Sequence, residues 1–445
     1  MHQNPDPRPS VDRPTVEVPT ALAVGAALGI LCTLARLPKS TWDTLYAEDG
    51  KVFLEAWVSD PPLNLPVAPY DGYLHVWPRL ISGIASLLPI DAWPTAVTAG
   101  FGVTVGLIGT LSLLASKRLI ASPTLRILVM ITPILLPFAG VEALGNLANL
   151  HWYFLYLGFW ISWHSPRTYS TSVAWSLTMA MAALTEIQLA ILAPIIAGRF
   201  WKGTRYERIV CTGWSIGIAA QFVAFLSSDT NRTSRGLSDP LSMIRGFLVN
   251  VILGTPVGNQ PRANYLMEIW GWLIPVALTA AIAALLVATG IKDPTRKWAI
   301  ISATFTSIAT WALSFLLNNY PGLDYVEPPF TFIRWGTGAS LLLWAAILIA
   351  LDIAASHSPS ANRLVPTFAA IAIILSSLIS PATVSARHGA PPWSQQVANL
   401  RQRCELQNSN LENAVINHAP EGWQMVLPCD RLRSRGYNNG AASSQ

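Results

Sequence analysis

Apolar runs long enough to cross the ~30 Å hydrocarbon core of a bilayer recur along most of this chain. A helix that is apolar all round must be covered by protein or by lipid, and one soluble core cannot cover so many. The runs fall near residues 18–37, 92–115, 126–142, 150–163, 171–183, 187–198, 208–226, 266–291, 298–317, 337–355 and 364–380. They predict an all-α integral membrane protein with about 11 transmembrane helices. Only 12% of residues are charged, about half the share of a soluble domain. The 18 Trp suit a chain whose helix ends meet headgroups.

The net charge of +5 is spread as single Lys and Arg between apolar runs. Without a basic block interleaved with aromatics, nucleic acid is excluded as a partner. Residues 1–17 are polar and Pro-rich and are expected to form a disordered cytosolic N-terminus. The run that follows is long for a signal-peptide core and lacks a small-residue cleavage site, so it is expected to be an uncleaved first span. Cys32 and Cys211 lie in apolar runs, whereas Cys404 and Cys429 lie in the polar tail 381–445. Those two are expected to form a disulfide if the tail faces an oxidising compartment, closing a subdomain over 393–430. No Cys or His spacing has the pattern of a metal site.

Residues 171–198 form one apolar stretch broken by Thr185, Glu186 and Gln188. A single helix there would bury a carboxylate at mid-bilayer, which is costly, so a hairpin of two short helices with a polar tip is expected. With the N-terminus inside, alternate connections then carry Lys117, Arg118, Arg126, Arg167, Arg199, Lys202, Arg205, Arg208, Lys292, Arg296, Lys297 and Arg363. The opposite connections carry Asp43, Glu48, Asp49, Glu55, Asp60, Asp71, Asp91, Glu142, Asp229, Asp239, Asp324 and Glu327. By the positive-inside rule, loops 38–91 and 227–265 and the tail are extracytoplasmic. The large loops and the hairpin thus agree on one orientation.

Five polar features gather on that predicted outer face. Tyr46–Trp57 has helical apolar spacing and reads as an interfacial helix beginning at Glu48 and Asp49. Its plain reading is an acid pair at a helix start. The segment 70–80 supplies Tyr73, His75 and Arg79, which an interfacial aromatic belt would also explain. Asn149 and His151 enter a span and need partners, although a helix cap would use some of them. The hairpin tip adds Glu186, and Arg334 stands at an outer span mouth, against the charge rule. Carboxylates, amides, imidazoles and an arginine at a membrane surface suit a substrate with an apolar lipid and an anionic phosphate.

At these residues the chain resembles the GT-C superfamily of multispanning glycosyltransferases. The resemblance rests on the "AEDG" element at Ala47–Gly50, "NLHW" at Asn149–Trp152, the "LTEIQLAILAP" hairpin and the Arg334–Trp335 pair, over roughly residues 18–380. Protein O-mannosyltransferases and envelope arabinofuranosyltransferases are more distant relatives in that superfamily. The resemblance implies a bacterial plasma-membrane enzyme with its active site on the extracytoplasmic side. Its donor would be a polyprenyl-phosphate-linked sugar, and its acceptor an envelope glycan, lipid or protein. It carries the family's loop-one acid onto Asp49, with Glu48 the alternative, because this chain has Glu-Asp-Gly where many members have Asp-Asp or Glu-x-x-Tyr. The phosphate-binding arginine falls on Arg334, with Arg79 in reserve. No organic cofactor is implied, and two adjacent acids leave a divalent metal open. A transporter or flippase for lipid-linked glycans, or a non-catalytic envelope assembly factor, are the rival readings of the same polar outer face.

Overall fold

The computed structural model describes residues 18–59, 64–137, 142–228, 239–318, 325–357, 364, 387–405 and 412–433. The chain is predominantly helical, and the described residues include seven helices long and apolar enough to cross a membrane. Six answer expected spans: Val18–Arg36, Ile90–Arg118, Arg205–Ser227, Leu273–Lys292, Pro294–Asn318 and Gly336–Ser356. The run expected over 266–291 starts late, because Gln260–Trp270 is a separate helix that ends at Gly271, whose φ is +53°. The seventh, Pro240–Val257, lies inside the expected loop 227–265. Within it the Met243 carbonyl accepts from Trp311 Nε1 at 2.8 Å, and Asn250 Oδ1 accepts from the Ile333 amide at 2.9 Å. Gly258, just after it, abuts Pro137. These contacts tie the segment to Pro294–Asn318, to the stretch before Gly336–Ser356 and to the residues just after Pro123–Leu135.

The expected count of eleven spans is not met among the described residues. Pro123–Leu135, Leu150–Trp163 and the two arms of the hairpin are helices of fewer than eighteen residues. Of the run 364–380 only Leu364 is described, and the first 17 residues, the last twelve and several acids and basic residues counted above (Asp60, Asp229, Asp324 and Arg363) also lie outside the described residues. Burial explains why a short element suffices at the centre. Thirteen of the fourteen residues of Leu150–Trp163 are buried, so protein rather than lipid surrounds this helix. Gly336–Ser356 is the second central helix, 78% buried, whereas Val18–Arg36 is 17% buried and peripheral.

Small residues set a close contact between Val18–Arg36 and Trp93–Ala115. Gly25 and Gly29 face Gly102 and Gly106, and a Cβ on Gly29 or Gly106 would overlap the opposing carbonyl oxygen. Lipid tails are as apolar as leucine, so membrane helices gain from such backbone approach rather than from water exclusion.

The hairpin is present. Tyr169–Thr185 stops at Glu186, which has extended backbone and accepts from the Gln188 amide at 2.6 Å. Ile187–Leu192 then follows as a 3-10 helix, and Ala193–Lys202 as an α-helix. The 3-10 stretch rises about 2.0 Å per residue against 1.5 Å, so this sixteen-residue arm reaches about 27 Å. Both feet of the hairpin stand at the same end of the bundle, where Arg199 bonds the Ser162 carbonyl and Glu207.

Charge separates along the bundle. At the hairpin's feet Glu207 meets Arg199, Arg118 at 3.2 Å and the Ser165 hydroxyl at 2.5 Å. Nearby Asp352 binds Arg296 at 2.6 Å and accepts from the Ala121 and Ser122 amides. These two buried acids tie together the termini of several helices. The opposite end holds Glu48, Asp71, Glu142 and Glu186.

The described part of the tail is a small unit of its own. Trp393–Glu405 packs on an antiparallel hairpin, Asn413–His418 with Trp423–Pro428, and Cys404 and Cys429 are joined by a disulfide. This hairpin and a two-residue ladder at Pro69–Tyr70 and Tyr73–Leu74 are the few strands in a described structure that is otherwise helical, as expected. The tail docks on the first loop. Ala419 and Leu45–Ala47 exchange backbone hydrogen bonds of 2.5 and 3.1 Å, the Trp393 amide donates to the Asp43 carbonyl at 2.8 Å, and the Val426 amide donates to Glu55 at 2.8 Å.

Candidate functional site

The first loop turns sharply at Ala47, a non-glycine residue with φ +44°, and the helical backbone that follows points the successive side chains of Glu48 and Asp49 about 100° apart. A left-handed alanine persists only where its surroundings hold it, and the backbone bonds to Ala419 do so. The segment after it is a π-helical turn, Asp49–Leu54, running into Glu55–Val58, and neither acid makes a side-chain cap bond to its own helix start. Asp49 is fully buried instead. Its Oδ1 accepts from the Leu147 amide at 2.9 Å, and its Oδ2 lies 3.8 Å from Arg387, which also bonds the Gly145 carbonyl. Burial pushes the Asp49 carboxyl up to about 8, against the pull of Arg387. The residue braces the turn that leads into Leu150–Trp163. Asp49, expected as the base with Glu48 the alternative, thus faces the protein interior.

Glu48 turns the other way, into a cavity of about 170 Å³ at the acidic end. The first loop also contributes Tyr70, Asp71, Tyr73 and His75 to this cavity. The start of the central helix contributes Asn149, His151 and Trp152, and the hairpin tip Glu186 and Gln188. Ser314, Asn318 and Arg334 close it. Of the nine site residues expected from sequence, seven converge here. Asp49 does not, and neither does Arg79, whose Nε donates to the Ala68 carbonyl at 2.9 Å and whose guanidinium lies 5.6 Å from the centre of the Phe53 ring. Arg79 thus stands outside the cavity and shapes the loop.

Several buried polar atoms in the cavity have no protein partner. His75 is 2% exposed, and neither ring nitrogen is hydrogen bonded. Burial, then the neighbouring His151, Arg79 and Arg334, hold its pKa well below the usual imidazole range, so the ring is neutral. Asn149 Nδ2 and Gln188 Oε1 are likewise unpartnered. Asn149 precedes the central helix without capping it through its side chain. An unsatisfied buried donor or acceptor costs roughly 1–3 kcal/mol, so such a cluster favours a ligand that supplies hydroxyls. The Tyr73 ring centroid, 4.2 Å from that of His75, gives the same wall an aromatic face.

Two charged groupings frame these atoms. Arg334 lies 3.3 Å from Glu48 and 3.5 Å from Glu142, and its amide donates to Glu142 at 3.1 Å. Its side chain remains one-third exposed while paired with both carboxylates. On the other side His151 Nδ1 bonds Glu186 Oε2. Gln188 anchors the tip to the neighbouring helix through Ser314 Oγ at 3.0 Å. The Glu48–Asp49 pair fits no divalent ion, because the two carboxylates face Arg334 and Arg387 on opposite sides. Among the described residues no group of three or more His, Cys, Asp and Glu is arranged to hold a metal.

Sequence reading missed Arg387 and the pairing of Glu142 with Arg334. Both depend on contacts between distant segments, and the only local signal was a charged residue beside an apolar run. Ser314 and Asn318 were also missed, although polar residues in the last turns of a span are the same kind of signal as Asn149.

The fold and the site define a helical membrane protein with a buried polar cavity at the acidic end of its bundle. Comparison with known proteins adds no relative: no protein family, no curated protein and no solved structure matches this chain.

Proposed function

We propose that this protein is a GT-C-type glycosyltransferase that moves a sugar from a polyprenyl-phosphate donor to an extracytoplasmic glycan, lipid or protein acceptor. The observation that carries the reading is the cavity itself. It combines a partly exposed arginine, Arg334, with buried atoms that lack partners: both ring nitrogens of His75, Asn149 Nδ2 and Gln188 Oε1. A volume of about 170 Å³ has room for roughly five or six waters, or for one sugar ring in their place. The guanidinium suits a phosphate, and the unpartnered groups suit sugar hydroxyls.

A seat for the lipid is available in the same seam. An apolar groove of about 620 Å³ lies between the second hairpin arm and Pro294–Asn318, lined by Ile191, Ile195, Trp298 and Phe305 among others. The cavity takes part of its lining from the same two segments, and Thr306 in the groove is separated from Ser314 in the cavity by about 12 Å of helix rise. Placing the basic end in the cytosol by the positive-inside rule puts the cavity on the outer face of a bacterial plasma membrane. Transport of a lipid-linked glycan is less well supported, since a transport path calls for polar groups along the bundle axis. Here the buried acids of the other end, Glu207 and Asp352, are paired with arginines.

Binding of a radiolabelled polyprenyl phosphate to the purified protein tests the assignment of Arg334. Charge-assisted hydrogen bonds are worth about 1.5–3 kcal/mol, so Arg334→Gln is expected to weaken binding about 10- to 100-fold. Equal affinity in wild type and Arg334→Gln would remove Arg334 as the phosphate ligand.

A further inference from the structure

We infer that His151, oriented by Glu186, is the general base of the transfer; this rests on the glycosyl-transfer reading and specifies its chemistry. A base must present a lone pair to the acceptor hydroxyl within the cavity. Neither loop-one acid does so. Asp49 faces Arg387 in the interior, while Glu48 has Oε1 on Arg334 and Oε2 occluded.

His151 meets the requirement. It lines the cavity, is 8% exposed, and stands at the first turn of Leu150–Trp163, thirteen of whose fourteen residues are buried. Its Nδ1 is turned to Glu186, so a carboxylate accepting the Nδ1 proton fixes the tautomer and leaves the Nε2 lone pair for the substrate. Glu186 is itself held by the Gln188 amide at 2.6 Å, and the ring centroids of Trp152 and His151 are 3.9 Å apart. A carboxylate behind an imidazole, with the imidazole facing the reacting group, is the arrangement that orients a base and stabilises the imidazolium it becomes. The hairpin tip has a purpose in this picture: the break at Glu186 delivers one carboxylate to the second residue of the central helix.

The step balances without a further reactant. The acceptor oxygen forms a bond to the sugar's anomeric carbon as the bond from that carbon to the phosphate oxygen breaks. The acceptor proton passes to His151 Nε2. The electron pair leaves on the lipid phosphate, whose added charge is met by Arg334. Glu186 and the neutral His75, with ring centroid 6.0 Å from that of His151, remain in place throughout.

The test uses full-length protein in proteoliposomes, with a panel of radiolabelled hexosyl and pentosyl polyprenyl phosphates as donors and envelope extract as acceptor. His151→Ala is expected to lower kcat by about 100-fold or more with little change in donor affinity. Added imidazole should restore turnover in His151→Ala, with a rate that rises with the basicity of substituted imidazoles. Glu186→Gln is expected to retain donor binding and to lose rate by a smaller factor. A packing role for His151 would give loss without imidazole rescue, and that result would overturn the inference. So would transfer by His151→Ala within a few-fold of wild type. If wild type transfers label from none of the donors while still binding them, the glycosyl-transfer reading fails first, and the assignment of a base falls with it.

Discussion

Glu48 and Asp49 are neighbours in the chain with opposite surroundings, and the difference has a measurable consequence. Asp49 is pushed up to about 8 in the folded protein, against an unfolded value near 4. Below about pH 4 the group is protonated in both states and contributes nothing to pH dependence. Between about pH 4 and about pH 8 the unfolded chain releases the proton while the folded chain keeps it, so stability falls as pH rises. Asp49→Asn should flatten that fall. Thermal unfolding in detergent at about pH 5 and about pH 8 measures it, and an unchanged slope would show that Asp49 is ionised where it is buried. At this scale the sequence was informative where a polar group enters an apolar run. That signal marked Asn149, His151, Glu186 and Arg334, because each needs a partner in a medium that offers none. Which of two adjacent acids faces the cavity was not legible. It is decided by the Leu147 amide and by Arg387, which hold Asp49 inward from positions about one hundred and more than three hundred residues away.

Among the elements, the seam between Val18–Arg36 and Trp93–Ala115 is the most constrained, since backbone meets backbone at Gly25, Gly29, Gly102 and Gly106. Gly106→Leu is expected to destabilise the protein by about 1–3 kcal/mol through forced separation of the helices. Gly198→Ala serves as the comparison, because a Cβ there meets nothing within 4 Å. A lowered Tm for Gly106→Leu alone is the expected outcome, read from thermal unfolding in detergent; equal Tm values would mean the seam can open without cost. Spans with a uniform apolar character, such as Leu273–Lys292 at mean hydropathy 2.3, were readable from composition. Pro240–Val257 was not, as it has the lowest mean hydropathy of the seven, 1.3, and carries Arg245 and Asn250. The polar-tipped hairpin was legible because Glu186 leaves no tolerable straight helix. Its 3-10 arm was not, since the tighter winding answers to the distance the arm must cover rather than to any local residue preference.

Over the whole molecule, charge divides between two ends, with carboxylates around the cavity and arginines around Glu207 and Asp352. The tail clamps the cavity end through Ala419 and Trp393, so the disulfide and the site belong to the same face. Thiol titration after denaturation without reductant should count two of the four cysteines, Cys32 and Cys211, and four once reductant is added. Four thiols without reductant, in protein taken from its native membrane, would place the tail in a reducing compartment and reverse the orientation. The separation of acidic and basic loops was visible in the sequence because membrane insertion itself selects for it. The gathering of five distant segments around one cavity was anticipated only as a shared face. The most direct measurement of the proposed function is transfer of label from radiolabelled polyprenyl-phosphate sugars into envelope acceptors by reconstituted wild-type protein, beside Arg334→Gln. The expected result is label in the acceptor with wild type and a loss of about 100-fold or more with Arg334→Gln. Folded protein that binds the lipid and transfers no sugar from any donor would contradict it.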